Sequence, residues 1–157
     1  METIAQEDYA SNFFTLLKET FEGPPPQTAS VYLDQSGGLL QTIESMTAEV
    51  ASRSVKPGSP TIAAHCEHLR FYLMALYQYM HGPLEKIDWK QSWLKQTVNA
   101  SEWDALREEL RGAYRTITDD FKAVENWDDN SIGGGMAILA HTAYHLGSIR
   151  QLARMLA

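Results

Sequence analysis

Two histidines stand four residues apart in the stretch HTAYHLGSIR, residues 141–150. On a helix, His141 and His145 would lie about 40° apart and share one face with Ala137, Ile138, Ser148 and Leu152. Arg150 and Arg154 fall on the other side. A second stretch, TIAAHCEHLRFYL (residues 61–73), carries His65 and His68. With Glu67 taken as the direction of water, His65 lies about 160° away, near the centre of the apolar face beside Leu69, Tyr72 and Leu76. His68 lies about 100° from Glu67, on the flank of that face. The expectation is that His65, His141 and His145 look into a helical core, with His68 at its rim.

Buried imidazoles need hydrogen-bond partners. A divalent metal meets that need by taking a neutral ring nitrogen from each histidine, while the other ring nitrogen is held by an outer partner. Three protein ligands with one open position is the arrangement of a catalytic zinc centre. The competing reading is a set of polar core residues. A zincin is excluded because position 142 is Thr where H-E-x-x-H needs Glu. A carboxylate-bridged di-iron bundle is excluded because no histidine has a Glu three residues before it. His81, beside Gly82-Pro83, reads as an exposed helix end.

The elements that must position these residues are legible from their punctuation. QEDYASNFFTLLKETFEG reads as a helix stopping at Gly23 before Pro24, Pro25 and Pro26. GGLLQTIESM reads as a shorter helix, and Thr47 as the cap of the brief turn TAEVAS. After VKPGSP, a long helix is expected from Ser59 as N-cap and Pro60 as first helical residue, ending near Gly82-Pro83. The loop IDWKQSWLKQTVN leads to a helix with Ser101 and Asp104 as a capping box. A polar loop, ENWDDNSIGGG, precedes the last helix, MAILAHTAYHLGSIRQLARML. No stretch alternates with period two long enough for a strand. The reading is all-α, a four-helix bundle with a broken first helical region, and one domain over residues 1–157. Its short loops favour antiparallel neighbours.

Composition bounds the partners. Of 157 residues, 44% are hydrophobic and 21% charged, as in ordinary globular proteins. Thirteen basic against twenty acidic residues leave a net charge of −7, which argues against a nucleic-acid binder. Cys66 is the single cysteine, so neither a disulfide nor a cysteine zinc site is available, and it reads as a packing residue. No apolar run approaches a membrane span, and METIAQEDYA lacks a basic-then-apolar leader. A cytoplasmic protein that engages neither nucleic acid nor membrane is expected.

At these residues the sequence resembles the DinB/YfiT-like four-helix-bundle superfamily. TIAAHCEHLRFYL is similar to its second-helix segment, HTAYHLGSIRQL to its H-x-x-x-H-x-G-x-x-R last-helix segment, and IDWKQSW to the loop between. The resemblance implies an up-down-down-up bundle, frequently dimeric, with a mononuclear metal held by three histidines. Carried over, the ligands fall on His65, His141 and His145, with His68 a possible outer partner. Gly147 and Arg150 match further positions of the last motif; the glycine would permit close helix approach, and the arginine a salt bridge or interface contact.

Relatives with assigned activities include metal-dependent transferases that use low-molecular-weight thiols, and hydrolase- or isomerase-like enzymes. The expectation is a metal-dependent thiol transferase holding a divalent ion, zinc or nickel, with iron or manganese as further possibilities. The alternatives are a non-catalytic bundle binding a small molecule or partner protein, and a metal-dependent hydrolase using the same three histidines. Tyr72 and Tyr144 are expected as aromatic core, and Trp89 and Trp93 as cover for a pocket mouth or a dimer contact. Leu139, Leu146 and Ala153, apolar but off the histidine stripe, point to a homodimer.

Overall fold

The computed structural model describes residues 4–26, 29–33, 37–83 and 86–157. Met1–Thr3, the start of the stretch read above for a leader, lie outside them. The described residues form α1 (Gln6–Glu22), α2 (Leu39–Glu44), α3 (Ala48–Ser52), α4 (Ile62–His81), α5 (Ala100–Lys122) and α6 (Asp129–Leu156), with one 3-10 turn, Gln91–Trp93. No strand occurs among the described residues. The fold is an all-α bundle of four long helices, α1, α4, α5 and α6, whose first region is completed by the short α2 and α3.

Local chemistry sets the boundaries. α1 ends at Gly23, whose φ of 88° is a left-handed conformation open to glycine, and whose N–H reaches the Glu19 carbonyl at 2.8 Å. Thr47 caps α3 by accepting from the Val50 N–H. α4 starts two residues later than the Ser59-Pro60 signature suggests. Thr61 is its cap, accepting from the Ala64 N–H while its own hydroxyl donates to the Gln96 carbonyl at 2.7 Å. The capping box of α5 is Asn99 with Glu102, rather than Ser101 with Asp104.

The last helix begins at Asp129, ahead of the glycines, because Asp128 and Ser131 form a reciprocal capping box. Gly135 is there for packing. A Cβ on it would meet the Tyr9 hydroxyl at 3.0 Å and the Phe13 ring at 3.1 Å, so the missing side chain lets α1 lie close against α6.

Side-chain contacts fix the directions. His65 faces His145, His68 faces His141, and Leu76 faces Gly134, so α4 and α6 run antiparallel. Arg70 meets Glu109 and His81 meets Asp120, so α4 and α5 run parallel. Tyr9 reaches Ile132 and Phe13 packs on Gly135, which makes α1 parallel to α6. This is the up-down-down-up order. The antiparallel expectation drawn from loop length fails for α4 and α5, because the segment between them travels back along the bundle. That return segment carries the 3-10 turn past the first half of α4.

One apolar core joins the helices, with Leu17, Phe21, Leu69, Leu73, Trp103, Leu110, Ile117, Phe121, Ile138 and Ile149 among its members. Phe21 stacks on Tyr114 at 4.2 Å, and Phe13 lies 4.9 Å from Phe121, so bulky rings bridge α1 and α5. Fully burying each such ring is worth roughly 1.5–3 kcal/mol. Among the described residues no helix is long and apolar enough to cross a membrane.

Candidate metal centre

The first half of α4 is buried on every side, from Ile62 through Leu69. Glu67, the reference for water in the sequence reading, is itself only 8% exposed. Arg70 meets it with two hydrogen bonds of 2.6 and 3.0 Å, and the Lys95 ammonium stands 3.8 Å away. A buried carboxylate held by cations does not mark solvent. The rim position expected for His68 is therefore corrected. At 7% exposed, it is as buried as His65 at 8%.

Four of the five histidines, His65, His68, His141 and His145, meet between α4 and α6. His65 Nδ1 lies 2.8 Å from His145 Nδ1, and His68 Nε2 lies 3.1 Å from His141 Nε2. The ring centroids of His141 and His145 are 4.6 Å apart, and those of His68 and His145 are 4.9 Å apart. One ring nitrogen from each of His68, His141 and His145 falls within 4.8 Å of the others. A divalent ion with nitrogen ligands at about 2.0–2.1 Å in tetrahedral array holds them about 3.4 Å apart, so these donors need close in by little more than about 1 Å. The donor set fits a metal. His65 lies outside this group and contacts it through His145.

Electrostatics favour the neutral rings that a metal requires. Burial lowers His65 and His68 to about 4 and His145 to about 3, and it lowers His141 as well. Neighbouring imidazoles add to the effect at His68 and His145. Desolvation penalises the charged form, and four closely spaced cations would repel.

Aromatic rings enclose the cluster. Trp93 stacks on His68 with centroids 4.1 Å apart and planes within 19°. Tyr72 stacks on His141 at 3.9 Å and 14°. Trp89 leans on Phe71 and Tyr72 while remaining partly exposed. Tyr144, expected in the core, is 70% exposed and presents an edge contact to His145 at 5.0 Å. It lies on the outer face of α6, one residue before the inward His145.

The remaining sequence candidates separate from the cluster. Cys66 is fully buried in the core, and burial pushes its thiol up, so it packs. His81 is at the other end of α4, half exposed and 2.6 Å from Asp120. Gly147 faces open space and permits no close approach within the chain. Arg150 donates to the Gly37 carbonyl. Ser92 was missed altogether. Fully buried, it lies 2.7 Å from His68 Nδ1, and the only hint in the sequence is a small polar residue amid the tryptophans of WKQSW.

No curated protein and no solved structure matches the chain. The family model described as DinB superfamily matches residues 34–149, a span that takes in both histidine-bearing segments. With a bundle of this topology and a buried three-histidine group between its second and last long helices, the chain belongs to the DinB superfamily.

Proposed function

We propose that this protein binds one divalent metal ion through His68, His141 and His145 and uses it to transfer a low-molecular-weight thiol to an electrophile. The observation that carries the reading is the convergence of three ring nitrogens within 4.8 Å. His65, which the sequence reading placed among the ligands, contacts His145 through Nδ1 at 2.8 Å and takes the role of outer partner. Histidine nitrogens suit zinc, nickel and iron, with manganese a poorer match.

A divalent ion at this centre would supply an open position that lowers the pKa of a thiol, releasing its proton and keeping the sulfur nucleophilic near neutral pH. The sulfur's electron pair then forms the new bond to the electrophilic carbon as the leaving group departs with its own pair. The chain's residues contribute neutral, desolvated imidazoles and an aromatic surround of Tyr72, Trp89 and Trp93. The same open position could instead hold a water, lower its pKa and support hydrolysis, so the substrate panel below decides between the two reactions.

Metal content of the untagged protein tests the first half of the proposal. Wild type is expected to hold about one equivalent per chain, as for a mononuclear site. His68→Ala and His141→Ala should each lose most of it. Wild type that neither carries metal nor accepts it on reconstitution overturns the reading. For the second half, a panel of thiols with a haloaromatic acceptor is set against ester and amide substrates. Turnover of the second panel alone overturns thiol transfer.

A further inference from the structure

His68 is held from both ends of its ring. Nε2 faces His141 Nε2 at 3.1 Å, and Nδ1 faces the Ser92 hydroxyl oxygen at 2.7 Å. That hydroxyl has a single proton and a second neighbour, the Trp89 carbonyl oxygen at 2.7 Å. A carbonyl only accepts, so the Ser92 proton goes to Trp89. The Ser92 oxygen then offers His68 a lone pair, and Nδ1 must bring the hydrogen. His68 is left as the Nδ1–H tautomer with a bare lone pair on Nε2. A neutral histidine in water prefers the opposite tautomer, so something in the protein has to reverse the preference.

We propose that Ser92 is a positioning residue that selects the tautomer of His68, and that the return segment between α4 and α5 is thereby a working part of the histidine centre. Ser92 is fully buried, so water cannot substitute for its hydroxyl. Its place is set by the segment, not by α4. The Asp88 carboxylate accepts from the Lys90 N–H at 3.1 Å and from the Gln91 amide at 3.3 Å, ahead of Ser92. Beyond it, the Gln96 amide donates to the Trp93 carbonyl at 2.7 Å, and the Gln96 side-chain oxygen accepts from the Thr61 N–H at 3.2 Å. The segment is thus pinned on both sides of the turn, and tied to the cap of α4. Trp93 covers the face of the same imidazole. This role rests on the proposed metal site for its purpose, but the tautomer itself is a property of the metal-free chain.

The experiment is a long-range ¹H–¹⁵N correlation on metal-free, ¹⁵N-labelled protein near neutral pH, comparing wild type with Ser92→Ala and Ser92→Thr. In wild type, His68 Nδ1 should carry the proton and Nε2 should show the shift of an unprotonated nitrogen. Ser92→Ala should move the population toward Nε2–H, and Ser92→Thr should restore it. A wild-type His68 protonated at Nε2, or a tautomer unmoved in Ser92→Ala, overturns the proposal, and the wild-type spectrum decides even where a variant fails to fold. In the second arm, zinc affinity by chelator competition should fall about 10–100-fold in Ser92→Ala, as for loss of an outer hydrogen bond to a metal ligand. Unchanged affinity overturns the link to the metal site. Failure of wild type to bind zinc removes the metal reading while leaving the tautomer result to stand by itself.

Discussion

Trp93 lies flat on His68, with ring centroids 4.1 Å apart and planes within 19°. The indole therefore senses the charge state of one proposed ligand directly. Metal binding or protonation would turn the imidazole electron-poor and change the emission of the stacked indole. Titrating zinc into the metal-free protein should shift tryptophan fluorescence, and Trp93→Phe should abolish most of that shift. Trp127 packs against Phe13 and Phe121, away from the histidines, so Trp127→Phe should keep it. A response that survives in Trp93→Phe would contradict this assignment.

The histidine cluster also makes stability depend on pH. Folded values of about 4 for His65 and His68 and about 3 for His145 lie below the roughly 6.5 of an unfolded histidine. Below that higher value the unfolded chain takes up protons that the folded chain refuses. The contribution is whole above about pH 6.5 and is lost as the pH falls toward the folded values. Denaturant unfolding of the metal-free protein should show this decline beginning near neutrality. His65→Gln removes one titrating group and should shallow it. A profile flat down to about pH 5 would rule the effect out.

A second acid-sensitive element lies elsewhere. Buried Glu19 accepts from the N–H groups of Val31, Tyr32 and Leu33 at 2.7–2.9 Å and from the Ser30 hydroxyl at 2.6 Å. Burial pushes the carboxyl up, but these four donors outweigh it and hold it at about 2. Its stabilisation is present above the ordinary carboxylate range and is lost only as the pH falls toward 2, below the histidine window. Glu19→Ala strands buried donors and should cost on the order of 3 kcal/mol in chemical denaturation. A loss under about 0.5 kcal/mol, the scale of an ordinary surface change, would show that the loop does not depend on it.

Thr142 sits between the two α6 histidines, fully buried, with a hydroxyl that has no hydrogen-bond partner. Thr142→Val keeps the shape and removes the unsatisfied group, so stability should rise by about 1 kcal/mol with metal content unchanged. A destabilised variant would mean that the hydroxyl has a partner that matters.

The punctuation of the helices was legible because Gly23 before three prolines and Thr47 at the head of TAEVAS act through local chemistry. What failed depended on tertiary contacts. Thr61 displaced Ser59 as a cap because Gln96, from the return segment, ties to it. The glycines before Met136 entered the helix because Asp128 and Ser131 start it earlier and Gly135 receives α1. For the site, the α6 pair was readable from spacing, whereas the ranking of His65 as inward and His68 as rim does not hold, since both are equally buried. A helical wheel needs one exposed residue as reference, and Glu67 was buried among Arg70 and Lys95. Ser92 had only the faint signal of a small polar residue amid tryptophans, because its place beside His68 exists only once the chain has turned back along α4.

The case for a homodimer changes its footing in the structure. Leu146 is core, and Leu139 and Ala153 pack against the core of their own chain. The exposed surface of α6 instead carries Met136, Ala140, Tyr144, Gly147 and Met155, spaced three, four or eight residues apart, with exposed Arg154 beside them. Met136, Tyr144 and Met155 are 57, 70 and 65% exposed. A partner helix would cover these exposed apolar side chains, and the open space over Gly147 would admit it closely. A second copy of the chain seated there would also cover the Tyr144 edge of the histidine centre. Light scattering should therefore report twice the 17.7 kDa of the chain, and Tyr144→Glu should halve the mass. A wild type that remains at the mass of one chain at working concentration would refute the dimer and leave this surface to another partner.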